Sequence, residues 1–169
     1  MNHFIQRYAS WKNVLILLVI MLCFYFVFFP LMLPKGEHAV MLDTQIGYHA
    51  GDVYAVIGNY SDAMRQRYIL SEITLDLVFP LVYTFMFAFM IQLLYRRGRL
   101  ALFPFTALIA DLLENTGLVT MMVLWPEKLL WLAAATSFFS ALKWILVLAS
   151  SLITAAGIVV YMKKRSNKM

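Results

Sequence analysis

Residues 69–95 read ILSEITLDLVFPLVYTFMFAFMIQLLY, an almost continuous apolar run. A helix of this length rises about 40 Å at 1.5 Å per residue, more than the ~30 Å hydrocarbon core of a bilayer. Three other apolar runs are long enough to cross, at about 13–33, 100–125 and 136–162. The sequence therefore predicts an all-α fold, a four-helix transmembrane bundle in which residues 1–169 form a single membrane domain.

The composition is typical of a membrane protein. Of the 169 residues, 63% are hydrophobic and 14% are charged, whereas soluble domains have about 45–50% and about 25%. The formal net charge is +5, but no basic patch with interleaved aromatic residues is present, so we expect no nucleic-acid partner. Membrane lipids are the expected partners, and a homo-oligomer or a membrane partner protein is a further alternative.

The basic residues are distributed unevenly between the two ends of the spans. Nine of the 14 lysines and arginines fall before the first span, in the RRGR turn at 96–99 or in the tail after the fourth span, and none of the nine acidic residues does. Loops rich in lysine and arginine stay in the cytoplasm. We therefore expect a multi-pass protein of the inner (plasma) membrane, with both termini cytoplasmic and an outer loop at 34–68.

Individual residues predict where the helices begin and bend. Ser61 is suited to cap a helix, with Asp62 in its first turn, and this helix should continue into the second span. Pro80 removes one backbone hydrogen bond and should kink that helix. The stretch 129–162 is too long for one perpendicular span, which predicts an interfacial turn near 128–135.

Polar side chains interrupt three of the four apolar runs. In the second span, Glu72, Asp76 and Tyr83 fall within about 40° of one another on a helical wheel. A charge at the bilayer centre costs about 2.5–3.5 kcal/mol on insertion scales, so a partner or a function must compensate. We expect one polar pocket in the outer half of the bundle, in which Lys143 bridges Asp76 to Glu114. Its candidate ligand- or proton-binding residues are Asp76, Tyr83, Asp111, Glu114, Asn115 and Lys143.

Three functions fit this pocket. In the first, it binds or carries a lipid-like ligand or protons. In the second, it catalyses acid–base chemistry on a membrane-embedded lipid, with one carboxylate as the acid and another as the base. In the third, it is a scaffold that fixes helix register and docks a partner subunit. Several acids facing one lysine favour the first two, because a structural ion pair needs only one acid. No catalytic residue is assigned, and enzyme activity stays an open question.

Other chemistries find little support in the sequence. The single cysteine, Cys23, cannot form an internal disulfide or a CxxC redox pair. The three histidines lie outside the apolar runs, which excludes bis-histidine haem ligation within the bilayer. Glu72 is near the interface, where we expect it to be solvated. The polar groups of the outer loop have no recognisable metal-ligand spacing. We therefore expect no metal and no cofactor; the loop groups considered are His38, Asp43, His49 and Asp52.

Four short motifs carry a resemblance to known proteins. They are GDVY…Y…RY at 51–68, LDLVFPLVY at 75–83, ADLLEN at 110–115 and LKW at 142–144. The pattern covers residues 50–145 and resembles a family of small uncharacterised bacterial four-helix integral membrane proteins, which implies the fold and no particular activity. The segment SEITLDLVFPLVY is also similar, in architecture only, to the sterol-isomerase/sigma-2-receptor superfamily. That similarity implies four spans and acidic residues that face a lipid-sized cavity.

Overall fold

The computed structural model describes residues 2–32 and 41–166, without the side chain of Arg165. Over these residues the chain forms helices and no strands. The helices are α1 (Asn2–Tyr8), α2 (Trp11–Cys23), α3 (Phe29–Met32), α4 (Ala50–Gly58), α5 (Asp62–Tyr95), α6 (Pro104–Val123) and α7 (Leu130–Ser166). A π-helical turn (Phe24–Phe28) joins α2 to α3, and a 3-10 turn (Leu100–Leu102) precedes α6.

Four helical segments are long and apolar enough to cross a membrane. They are Trp11–Met32, Asp62–Tyr95, Leu100–Val123 and Leu130–Lys164. The all-α, four-helix transmembrane fold predicted from the sequence is therefore confirmed. Part of the expected outer loop is helical, because α4 forms there, and residues 33–40, with His38, lie outside the described residues.

The ends of the long helices follow local sequence features. Ser61 caps α5, since its Oγ accepts a hydrogen bond from the N–H of Met64 at 3.2 Å, and Asp62 lies in the first turn. Helix α5 continues through Pro80 without interruption. Helix α7 begins at Leu130, so the turn expected near 128–135 is complete before that residue.

Helices α5, α6 and α7 form the centre of the bundle. Helix α6 packs most extensively along α7 and also against α5, whereas α2 lies mainly against α5 and leaves most of its surface exposed. Gly117 allows α6 and α7 to approach closely, because a Cβ atom at this position would lie 2.0 Å from Oγ1 of Thr136. This close approach brings the polar face of α6 against that of α7.

Residues 41–48, which we call the cap, are attached to α7 by side-chain hydrogen bonds. The three α7 side chains involved follow one another at three-residue steps, which places them along the same helix face. The bonded pairs are Ser137 with both the N–H and the C=O of Tyr48 (2.8 and 2.6 Å), Ser140 with the C=O of Gln45 (2.7 Å) and Lys143 with the C=O of Asp43 (3.0 Å). The cap is thereby held beside the polar side chains of the bundle.

Candidate functional site

The polar face of α5 is joined to α6 at a backbone carbonyl. Pro80 has no N–H, so the carbonyl oxygen of Asp76, four residues earlier, lacks its normal intrahelical donor. The side-chain amide of Asn115 on α6 donates to this oxygen at 2.8 Å. Asn115 therefore completes the hydrogen bonding of the α5 backbone where the proline interrupts it.

Two further contacts connect the three central helices. The Tyr83 hydroxyl on α5 donates to Oδ2 of Asp111 on α6 at 2.7 Å. Nζ of Lys143 on α7 lies 2.6 Å from Oε2 of Glu114 and 4.0 Å from Oδ1 of Asp111. The ion pairs of Lys143 are thus with these two α6 carboxylates. The expected contact with Glu114 is present, whereas the expected contact with Asp76 was wrong and Asp111 takes its place.

The cap contributes a further carboxylate, Asp43. One carboxylate oxygen from each of Asp43, Glu72 and Asp76 lies within 4.8 Å of the others. The Tyr68 hydroxyl holds Asp43 in place, because it donates to Oδ1 of Asp43 at 2.9 Å and accepts from the backbone N–H of the same residue at 3.2 Å. Glu72 is only 2% exposed, so the prediction that it is solvated was wrong.

The polar side chains that join α5, α6, α7 and the cap form what we call the network, and it contains far more acidic than basic groups. Glu72, Asp76, Asp111 and Glu114 are all buried, and Lys143 is the buried amine that faces them. Ionised carboxylates that leave water without a partner are strongly destabilising. Such an excess of negative charge must be compensated by protons or by a bound cation.

The hydroxyl of Tyr48, in the cap, is affected by the same carboxylates. Burial, together with the nearby carboxylates of Glu114 and Glu72, raises the pKa of the Tyr48 hydroxyl well above its ordinary value. This hydroxyl has no hydrogen-bond partner in the described part of the chain. Tyr48 therefore stays protonated and adds no charge to the network.

All six residues predicted from the sequence lie in this network, and two of its members were missed. The helical period placed Glu72 on the same face of α5 as Asp76, but Glu72 was left out of the site because it was expected to be solvated. Nothing in the sequence placed Asp43 beside that face. Of the loop residues considered for a metal, His49 and Asp52 are exposed at the start of α4 and lie outside the group formed by Asp43, Glu72 and Asp76.

The described residues also line two open pockets away from the network. One of about 340 Å³ is lined in part by Gln6, Gln92 and Arg96, and a second of about 260 Å³ by Phe4, Phe85 and Phe89. Both lie toward the end of the bundle where α1 packs on α5. Neither pocket includes a residue of the carboxylate network.

Comparisons of the chain with protein-family models, with curated proteins and with solved structures found no match. The two resemblances drawn from the sequence motifs therefore stay predictions.

Proposed function

We propose that the chain is a multi-pass inner-membrane protein that binds and exchanges protons at its intramembrane carboxylate/Lys network. The observation that carries this proposal is that four buried carboxylates, Glu72, Asp76, Asp111 and Glu114, face one buried amine. A scaffold would need one acid for one lysine. Protons are the simplest mobile compensation for the remaining negative charge.

The contacts between these groups support proton movement. The Tyr83 hydroxyl is bonded to Asp111, and Lys143 lies between Asp111 and Glu114, with distances of 2.7, 4.0 and 2.6 Å along this path. Each side chain along this path can donate or accept a proton, and each lies next to another such side chain. A proton that enters at one carboxylate therefore has further acceptors within a short distance.

The close packing of the network favours protons over a lipid-like ligand. Glu114 is fully buried, and the side chains of Asp111 and Asn115 are almost so. A lipid or a lipid-derived substrate would have to displace the packed helices to reach these groups. The alternatives of a lipid-binding pocket and of an acid–base enzyme acting on lipid therefore have less support than proton exchange.

The proposal includes the orientation of the bundle in the membrane. The basic residues Arg7, Lys12, Arg96 and Arg97 lie near the end of the bundle opposite the cap, at the ends of the first and second spans. By the positive-inside rule this end is cytoplasmic. The cap and the Asp43 side of the network then face the outer side of the membrane.

Infrared spectroscopy of the full chain in lipid bilayers tests proton exchange directly. We expect a carboxylic acid C=O band whose intensity changes with pH and which is diminished in Glu114→Gln and in Asp111→Asn. Glu127→Gln is the matched control, because Glu127 is exposed in the turn before α7. An acid band that is absent at every pH, or that titrates in both network variants in the same way as in the wild type, would contradict the proposal.

A further inference from the structure

We infer that Asp43, Glu72 and Asp76 form a binding site for a hard divalent cation at the junction of the cap and α5. The three residues each place a carboxylate oxygen within 4.8 Å of the other two. Calcium binds oxygen ligands at about 2.3–2.6 Å, so two ligands on opposite sides of one ion are ~5 Å apart. The three oxygens are therefore close enough to bind the same ion.

The buried carboxylates of this group have unsatisfied oxygens. Glu72 is 2% exposed and Asp76 is 8% exposed, and Oε2 of Glu72 and Oδ2 of Asp76 have no hydrogen-bond partner among residues 2–32 and 41–166. Buried polar atoms are almost always paired in folded proteins. Two unpaired carboxylate oxygens in one small acidic group therefore need protons or a cation, and the convergence of three carboxylates favours a cation.

Lys143 does not supply this partner. Its ammonium group forms ion pairs with Glu114 and Asp111 and donates to the backbone carbonyl of Asp43. Within the described residues no lysine or arginine nitrogen lies within 4.0 Å of a carboxylate oxygen of the three acids. A bound cation would compensate charges that Lys143 leaves uncompensated.

The positions of the ligands are set before any ion binds. Glu72 and Asp76 are one turn apart on the same face of α5. Asp43 is held by the Tyr68 hydroxyl, which donates to its Oδ1 at 2.9 Å, and by Lys143, which binds its backbone carbonyl at 3.0 Å. A ligand set that is fixed in this way loses little conformational freedom when it binds an ion.

The chemistry of the ligands selects the kind of ion. Three carboxylates without a thiolate or an imidazole favour hard cations such as Ca²⁺ and Mg²⁺ over Zn²⁺ or Cu²⁺. Mg²⁺ requires oxygens at about 2.0–2.1 Å in a near-ideal octahedron, whereas Ca²⁺ accepts longer and less regular distances. Because Ca²⁺ tolerates irregular ligand sets, it is the first ion to test at these three carboxylates. An ion here would attach the cap to α5 and would compete with protons for Glu72 and Asp76.

Terbium luminescence tests this site in the full chain purified in detergent. Tb³⁺ takes the same oxygen ligands as Ca²⁺ and emits when a nearby tyrosine is excited, and Tyr68 is bonded directly to Asp43. At constant pH we expect sensitised emission that excess Ca²⁺ displaces. It should be lost in Glu72→Gln and in Asp43→Asn and kept in the matched control Glu127→Gln, since Glu127 is exposed.

Thermal unfolding is a second measurement, which does not depend on energy transfer from tyrosine to Tb³⁺. Because an ion that binds only the folded state raises stability, the thermal midpoint of the wild type and of Glu127→Gln should rise with CaCl₂. The midpoints of Glu72→Gln and Asp43→Asn should not change. Wild-type protein without Ca²⁺-displaceable emission, or equal emission from all four proteins, would overturn the inference.

Discussion

The side-chain amide of Asn115 donates a hydrogen bond to the backbone carbonyl oxygen of Asp76 at 2.8 Å. This oxygen needs an external donor because Pro80, four residues later, has no N–H. The proline and the asparagine therefore act together, although they are on different helices. Their pairing sets the position of α5 relative to α6 at the level of the carboxylates.

A double-mutant cycle tests this relationship. Asn115→Leu should destabilise the protein by about 1–3 kcal/mol, because it leaves a buried carbonyl without a donor. The same change should cost clearly less when combined with Pro80→Ala, since alanine restores the intrahelical N–H. The free energy of unfolding in detergent is measured for the wild type, for the two single variants and for the double variant. Equal costs in the two backgrounds would mean that the carbonyl of Asp76 does not depend on Asn115.

The close approach of α6 and α7 gives a second prediction. Gly117→Ala should destabilise the bundle by about 1–3 kcal/mol, because the added Cβ would overlap Thr136. Gly51→Ala is the matched control, since a Cβ at Gly51 meets nothing within 4 Å and alanine is the better helix former. Thermal unfolding compares the two variants. A Gly117→Ala protein as stable as the wild type would show that the two helices can separate without loss.

The attachment of the cap can be tested by hydrogen exchange. The double variant Ser137→Ala with Ser140→Ala removes the hydroxyls that bind the backbone of Tyr48 and Gln45. We expect faster amide exchange in residues 41–48 and unchanged exchange in α2. Ser151→Ala is the control, because Ser151 bonds only within α7, to the carbonyl of Val147. Unchanged exchange in the cap would show that other contacts hold it.

Tyr48 gives a prediction in alkaline solution. Its folded-state pKa lies above that of the unfolded chain, about 10. The contribution of neutral Tyr48 to the free energy of unfolding is therefore fully present below pH 10, and it is lost as the pH rises further. In ultraviolet titrations, the tyrosinate absorbance of Tyr48→Phe should coincide with that of the wild type until unfolding begins. A folded wild-type protein with one additional tyrosinate near pH 10 would contradict this.

The fold could be predicted from the sequence because it depends on local features. Apolar length determines the spans, and the hydroxyl of Ser61 determines where α5 begins. The turn expected near 128–135 ends earlier, before Leu130, because chain length alone suggested its position. Residues 130–135 contain no glycine or proline that would interrupt a helix, and α7 begins at Leu130.

The network could be predicted only in part, for a different reason. The helical period identifies side chains that share a face, such as Asp76 and Tyr83, or Asp111 and Asn115. It does not determine which lysine–carboxylate pairs form, because that depends on the rotation of each helix against its neighbours. Asp43 reaches the network through contacts of the cap with α7 about 90–100 residues away, and no periodic pattern encodes such contacts.

The charge excess around Lys143 is tested most directly by the stability in detergent of Glu114→Gln, of Lys143→Met and of the double variant. Lys143→Met should cost about 3–5 kcal/mol, because it leaves buried carboxylates without their amine. Glu114→Gln should leave the melting temperature unchanged or raise it, because Asp111 still faces the lysine. That asymmetry would mean that the surplus acids are retained for function. Equal large losses in both single variants, with recovery in the double variant, would identify an ordinary structural ion pair and contradict proton exchange as the role of the network.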